Sequence, residues 1–283
     1  MGAHMRTVRS RRLALELRQF REQAGLTGEQ VAEDMGWSVA KVYRLEGDKV
    51  RILVRDVGRL LRLYKIGGAQ AEAVLELARQ ARVKDWWHQY SGAIPEWFQF
   101  YVGLEAAVSA MHGYDSELVP GLLQTEQYVR AIMSTAPVRD DNDETERQIT
   151  VRMERQKRLT AADAPFLWAV LNEGVIRRTV GGTQVMRTQL RHLADMSTLG
   201  NVTVQVLTFD AGAHSAMHGA FKVMRFPEPV DPDVVYVEAQ TGALYLEKPE
   251  DVARYSLIFD YLRAQALSPE ASRDLMTQLA STM

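Results

Sequence analysis

Apolar residues recur at intervals of three and four along the N-terminal part of the chain, which is the period of an amphipathic α-helix. This pattern predicts an all-α domain of five short helices over residues 6–83. The predicted helices are Arg9–Ala24, two helices within Gly28–Gly47, Val54–Tyr64 and Ala69–Val83.

The two central helices have well-marked ends. Thr27 and Gln30 have the spacing of a capping box at the start of the first helix, and Ser38 can cap the second. Gly36, between the helices, can adopt the positive φ of a tight turn, and Ala32 is small enough for the helices to cross closely. The sequence therefore predicts a helix-turn-helix. The alternative is an αα-corner in an ordinary helical bundle.

Strand-like runs are expected only after Pro165, where β-branched and aromatic residues cluster. A helix over Gly182–Thr198 separates the first two runs, and Thr241-Gly242 is predicted to turn the last two into a hairpin. Residues 161–283 are thus predicted to form an α+β domain with a small, mostly antiparallel sheet. The predicted strands are Phe166–Leu171, Val202–Phe209, Phe221–Phe226, Val234–Ala239 and Leu244–Glu247.

The region between these two domains, residues 84–160, is predicted to be a helical connector that includes a helix over Pro95–Met111. Its beginning is rich in aromatic side chains: Trp86, Trp87, Tyr90, Trp97, Phe98, Phe100 and Tyr101. A nucleic-acid stacking platform would combine such rings with basic residues, and Lys84 is the only one here. Packing between the domains, or a dimer interface, is the favoured interpretation.

Composition and charge narrow the class of protein. The chain has no cysteine, which excludes disulfides and thiol catalysis. Arg6–Ile66 holds 14 basic against 8 acidic residues, whereas the rest holds 20 against 28, so the N-terminal part is the one suited to a polyanion. The sequence shows neither a membrane span nor a signal peptide, and Met1–Met5 (residues 1–5) reads as a tag remnant. We expect a cytoplasmic, nucleoid-associated protein.

The helix-turn-helix pattern resembles that of XRE-type (phage repressor-like) regulators. Five later motifs are WWHQYSGAIPEWFQFYVGLEA, YDSELVPGLLQTEQYVRA, RRTVGG, NVTVQVLTFDAGAH and DVVYVEAQTGALYLE. They resemble those of actinobacterial XRE regulators with a large C-terminal domain of uncharacterised function, often called antitoxin-like regulators. The resemblance implies a sequence-specific DNA-binding transcriptional regulator, frequently encoded beside a small partner protein, and it supplies no ligand or catalytic residue.

The second helix of a helix-turn-helix presents its N-terminal residues to base edges in the major groove. Arg44 is the candidate for a bidentate contact with guanine, and Lys41 for guanine or phosphate. Two departures from the XRE pattern are Gly28, where a phosphate-contacting glutamine is common, and Tyr43, where a small polar residue is usual. The candidate DNA-binding residues are Ser38, Val39, Ala40, Lys41, Arg44, Thr27 and Gly28.

Candidate chemistry elsewhere is sparse. His214 and His218 are four residues apart and could share a helix face for a metal ion, but Gly212 and Gly219 favour a loop without metal. We keep both histidines as candidates for a ligand or partner surface. Three carboxylates that could serve in acid–base pairs are not brought together by their spacing: Glu173, Glu238 and Glu247.

These patterns favour a DNA-binding regulator over an enzyme. The sequence shows no nucleophile elbow, phosphate-binding loop or dinucleotide fingerprint, so we expect no catalytic residue, metal or cofactor. One helix-turn-helix recognises only a few base pairs, which favours a homodimer on double-stranded DNA. The C-terminal domain is expected to bind a small partner protein or a small-molecule effector, and not a membrane. The alternative is an enzyme domain with an attached DNA-targeting module.

Overall fold

The computed structural model describes residues 7–81, 95–135, 142–227 and 232–283. They form two compact units. The first contains the described residues up to 81 together with Gln99–Leu104, and the second contains the others. The predicted tag remnant at residues 1–5 lies outside the described residues, as do Trp86, Trp87 and Tyr90 of the aromatic run.

The first unit contains the five predicted helices. Thr7 and Ser10 form a capping box that starts the first helix, so this helix has a fixed beginning that the sequence prediction did not include. One apolar core joins all five, from Leu13 on the first to Ala78 on the last. The helices are α1 (Val8–Gln23), α2 (Gly28–Met35), α3 (Val39–Glu46), α4 (Val54–Leu63) and α5 (Gly68–Gln80).

A buried ion pair fixes the end of α3 to α1. The guanidinium of Arg21 donates to both carboxylate oxygens of Glu46, with Nε–Oε1 at 2.6 Å and Nη2–Oε2 at 3.0 Å. Its remaining nitrogen donates to the carbonyl of Leu26 at 2.9 Å. Such a bidentate pair is geometrically demanding. Arg21 is therefore a structural residue and not a solvated charge of α1.

The α6 helix (Glu96–Ala107) is followed by the α+β elements of the second unit. Two short helical turns over residues 121–123 and 157–160 connect parts of it. The elements are β1 (Ala110–Asp115), α7 (Glu126–Met133), α8 (Asn142–Gln156), β2 (Phe166–Asn172), α9 (Glu173–Arg177), α10 (Thr183–Met196), β3 (Val202–Leu207), β4 (Phe221–Arg225), β5 (Val234–Ala239), β6 (Gly242–Leu246), α11 (Pro249–Gln265) and α12 (Pro269–Thr282).

The strands form one mixed sheet in the order β3-β2-β1-β4-β5-β6. Its first three strands are parallel and its three later pairings are antiparallel, which confirms the predicted α+β class with a mostly antiparallel sheet. The predicted hairpin is present, with Ala239 opposite Gly242, so its two loop residues are Gln240 and Thr241.

The strand β1 corrects the expectation that strands begin only after Pro165. It lies between β2 and β4 and so occupies the middle of the sheet, and the helix predicted up to Met111 ends at Ala107 instead. The sequence of β1, AMHGYD, contains no β-branched residue, and this explains why propensity did not reveal it. Pairing with two neighbouring strands determines its conformation.

The α11 helix was also not predicted from the sequence. Phe259 and Leu262 on this helix are buried in the core, whereas Leu257 and Tyr261 are 56% and 60% exposed. Apolar residues therefore lie on both sides of the helix, and the one-sided apolar stripe that identifies a surface helix is missing.

Residues at the start of α12 and just before it form hydrogen bonds with the backbone of edge strand β3. The N–H of Val206 donates to Oγ of Ser272 at 2.9 Å, and the carbonyl of Val206 accepts from the N–H of Leu267 at 2.9 Å. Gln205 adds a bond from its Nε2 to the carbonyl of Leu267 at 2.8 Å. At Val206 this edge of the sheet is thereby covered by a non-strand segment.

The second unit contains a buried ion pair between α6 and α8. Arg155 donates to both carboxylate oxygens of Glu105, at 2.6 and 2.8 Å, and the two side chains are only 5% and 4% exposed. The guanidinium carbon of Arg155 also lies 5.1 Å from the centre of the Phe98 ring. Loss of either partner would leave a charge in the interior without its counter-ion.

Glu105→Ala is expected to lower the free energy of unfolding of the second unit by about 3–5 kcal/mol, because the charge of Arg155 would remain buried without its partner. Glu146→Ala is the matched control, since Glu146 lies on the same helix as Arg155 and pairs with the exposed Arg130. This control should hardly change stability. Urea unfolding followed by circular dichroism measures both variants. Similar midpoints for the two would contradict a special role for the buried pair.

Candidate nucleic-acid interface

The predicted residues fix both ends of α2 and the start of α3. Thr27 and Gln30 form a complete capping box, and the hydroxyl of Ser38 accepts from the N–H of Lys41 at 3.2 Å. Gly36 ends α2 with a φ of 66°, in the left-handed region that favours glycine. The N–H of Trp37 then donates to the carbonyl of Ala32 at 2.8 Å. The predicted caps and turn are thus confirmed.

The packing of α2 against α3 decides which side chains remain accessible. Five apolar residues are buried between these helices and the rest of the first unit: Val31, Ala32, Met35, Val42 and Leu45. Among the predicted DNA-binding residues, Ser38, Ala40, Arg44 and Thr27 are exposed, whereas Val39 and Lys41 are half-buried. The exposed side of α3 is therefore the surface available to a base edge.

Arg44 is the most accessible basic group on this surface. Its Nε donates only to the carbonyl of Ala40, one turn earlier in the same helix, at 3.3 Å. In the described part of the chain it takes part in no ion pair. Its guanidinium thus keeps the donors that a bidentate contact with guanine would use.

Lys41 is more constrained than the sequence suggested. Its Nζ lies 3.6 Å from the centre of the Trp37 ring and 3.9 Å from Oδ2 of Asp56. The ring and the carboxylate both stabilise the ammonium group where it lies. Lys41 therefore belongs to the edge of the surface, and moving it toward DNA would require these contacts to be exchanged.

Tyr43 is an exposed residue of this surface that was not among the predicted site residues. Its side chain is 50% exposed, and its ring lies over Gly28, which is buried. A Cβ atom at position 28 would lie 2.7 Å from Cζ and 2.8 Å from the hydroxyl oxygen of Tyr43. The two residues that depart from the XRE pattern, Gly28 and Tyr43, are thus in contact with each other. That both departures occur in the same sequence was the signal that could have revealed this contact. At this point of the surface Tyr43 is accessible to DNA, whereas Gly28 is not.

A carboxylate lies beside this contact. Hydrogen bonding to its own backbone N–H, and then to the hydroxyl of Thr27, lowers the pKa of Glu29. The N-terminal turn of α2 therefore holds an ionised side chain of its own at neutral pH. Helix N-termini favour such an anion.

The two candidate histidines of the second unit, His214 and His218, differ in burial and in contacts. The imidazole of His214 accepts from the N–H of Ala216 at its Nδ1, at 3.2 Å, and its Nε2 lies 3.3 Å from the hydroxyl of Tyr114. Burial lowers the pKa of His214. His218 is exposed. Among the described residues, no group of three His, Asp or Glu side chains could hold a metal ion.

Two of the three carboxylates considered in the sequence accept hydrogen bonds within the second unit. Glu173 is buried and accepts from Nε of Arg177 and from the N–H of Phe209, at 2.5 and 2.6 Å. Glu238 accepts from the hydroxyl of Tyr236 at 2.8 Å. The bond from Phe209 connects α9 to the segment after β3, so Glu173 has a structural role, whereas the bond of Glu238 lies within β5.

Two families match the chain. Residues 12–74 match the family described as a helix-turn-helix domain. Residues 98–278, more than half of the 283, match the family described as "Domain of unknown function (DUF5753)". The chain belongs to the DUF5753 family. The DUF5753 match includes all six strands of the sheet.

The helix-turn-helix match contains both central helices and supports a DNA-binding regulator in which a DUF5753 domain follows the DNA-binding part. No curated protein and no solved structure matches the chain. In the ranges that the structure describes, none of the helices has the length and apolar character needed to cross a membrane.

Gly36→Ala is expected to destabilise the first unit by about 1–2 kcal/mol, because alanine is disfavoured at positive φ. The added Cβ would meet nothing within 4 Å, so the effect is one of backbone conformation alone. Gly67→Ala is the control, since Gly67 also has open space but an extended φ of −141°. Thermal unfolding measures both. A Gly67→Ala protein destabilised as much as Gly36→Ala would contradict the conformational explanation.

Proposed function

We propose that this protein is a sequence-specific, DNA-binding transcriptional regulator of the XRE type, and that it belongs among the antitoxin-like regulators. The observation that carries the proposal is the accessible side of α3, where Arg44 forms no ion pair with any described residue and where caps fix the N-terminal ends of α2 and α3. The helix-turn-helix match over residues 12–74 supports the same function.

The proposed contacts follow from where the side chains lie on α3. Arg44 donates to O6 and N7 of a guanine in the major groove. Val39 and Ala40 contact a thymine methyl group. Ser38, at the N-terminus of α3, donates to a phosphate oxygen, and Thr27 does the same at the start of α2.

Electrostatics supports binding of a polyanion by the first unit. Internal ion pairs and a helix-end contact use several of its arginines, including Arg21 and Arg59. Exposed basic residues nevertheless occur on α1, α3, α4 and the loop before α4, although two of them, Arg18 and Arg55, are paired with Glu22 and Asp56. These exposed residues are Arg18, Arg44, Lys49, Arg51, Arg55 and Arg62. Each contact of this kind with a phosphate releases counterions, so binding should weaken as salt rises.

We further propose that the protein acts as a homodimer. Leu257 and Tyr261 are one helical turn apart on the outer side of α11, and the exposed Ala253 and Ala264 extend this apolar stripe at both ends. A two-fold dimer needs a surface that can pair with itself, and a helix stripe with large residues at its centre and small ones at its ends is suited to this. A dimer would double the number of base pairs recognised.

The DUF5753 domain is proposed to regulate DNA binding by binding a small partner protein encoded nearby or a small-molecule effector. The loop that carries His214 and His218 lies beside the carboxyl ends of β1 and β2, through the contact of His214 with Tyr114. Ligands of α/β sheets commonly bind at such ends. We propose a binding and not a catalytic role, in a cytoplasmic protein associated with the nucleoid.

Arg44→Ala should relax the sequence preference at one base pair of each half-site, by about 1–3 kcal/mol of discrimination, because it removes a base contact. Arg79→Ala on α5 removes the same charge from a residue paired with Glu76 and serves as the control. Selection of bound duplexes from a randomised pool measures both preferences. If Arg44→Ala selects the same sequences as the wild type, the assignment of Arg44 is wrong.

Light scattering should give the wild type a mass of about twice the 32.0 kDa of one chain. The double variant Leu257→Glu, Tyr261→Glu should scatter as a monomer, because charge on both sides of the two-fold axis repels. Phe166→Glu is the control, since Phe166 is 63% exposed and lies on β2 instead. A wild-type monomer would refute the dimer, and a dimeric double variant would refute this interface.

A further inference from the structure

The ring of Tyr43 is held in one place by the backbone of α2. Gly28 is the first residue of α2, and any side chain there would occupy the space of the phenol ring. The ring therefore packs on the backbone at the first turn of α2, although half of the side chain remains accessible. An exposed side chain that is already held in this way loses little conformational freedom when it binds.

The side chain of Tyr43 points away from the residues that are proposed to contact bases. Arg44 follows Tyr43 immediately, so the two point about 100° apart around α3. Tyr43 extends to the start of α2, and in a helix-turn-helix the first helix crosses the DNA backbone while the second lies in the groove. The hydroxyl of Tyr43 thus lies on the side of the surface that meets phosphates.

We propose that Tyr43 is a phosphate-contacting residue of this protein: its hydroxyl donates to a phosphate oxygen at the start of α2, and Gly28 leaves the space in which the ring stands. The inference rests on the proposed function. It assigns to Tyr43 the backbone contact that the sequence pattern placed at Gly28.

Glu29 limits the strength of this contact. Glu29 follows Gly28 in the first turn of α2, and hydrogen bonding to its own N–H and then to the hydroxyl of Thr27 lowers the pKa of its carboxyl group. A phosphate that approaches the hydroxyl of Tyr43 at the start of α2 is therefore repelled by an ionised carboxylate. Glu29 therefore opposes binding, and its removal should favour the contact.

The test uses the full-length protein and duplexes recovered with it from a randomised 30-base-pair pool. Tyr43→Phe should bind every recovered duplex about tenfold more weakly, which is the typical loss of a hydrogen bond to a charged group. The dependence of affinity on salt should keep its slope, because a phenol displaces no counterion. Glu29→Gln should bind every duplex more tightly than the wild type.

A double-mutant cycle tests the role of Gly28. Gly28→Ala should weaken binding in the wild-type background, because the methyl group displaces the ring of Tyr43. In the Tyr43→Ala background the same change should have almost no effect, because the ring is gone. Thermal unfolding of the four proteins shows that each is folded at the temperature of the binding experiment.

The outcomes separate this inference from the proposed function. If the wild type recovers no duplex from the pool, the proposed function fails. If it does recover duplexes and Tyr43→Phe binds them equally well, the role of Tyr43 is refuted and the function stands. A changed sequence preference in Tyr43→Phe would show a base contact and would also overturn the inference, as would an equal effect of Gly28→Ala in both backgrounds.

Discussion

The close crossing of α2 and α3 is the constraint on which the DNA-facing surface depends. Gly28 and Ala32 permit this crossing because they have little or no side chain, and Gly36 permits the turn because it adopts a positive φ. Once the helices cross, Val42 and Leu45 are buried and the opposite side of α3 is left accessible. The Arg21–Glu46 ion pair then holds the far end of α3 on α1. Together these contacts give a short helix one orientation, which eight residues could not maintain alone.

The first unit uses its basic residues for two different purposes. Arg21 and Arg59 stabilise the fold, by an ion pair and by a contact with the carbonyl of Met35, whereas Arg44 remains accessible. A count of basic residues along the sequence therefore overestimates the charge that a polyanion meets. In the second unit Arg155 also stabilises the fold, because it forms an ion pair with Glu105 in the interior.

Local signals made the helix-turn-helix predictable from sequence. Its caps and turn depend on residues only three or four positions apart, such as Thr27 and Gln30, so the sequence alone specifies them. In contrast, β1 forms because β2 and β4 provide partners from distant parts of the chain, and its own residues have little strand propensity. The contact of Tyr43 with Gly28 was likewise not predicted, because each residue by itself appears only as a departure from the XRE pattern.

The closure of β3 by Ser272 and Leu267 has a consequence for assembly. A sheet with two open edges can add copies of itself indefinitely, as fibrils do. Here the N–H of Val206 on β3 is bonded to Ser272 on α12, and its carbonyl is bonded to Leu267 just before that helix. A strand from another copy would have to displace both bonds to pair with β3 at this point. The start of α12 therefore opposes the addition of further sheets at this edge.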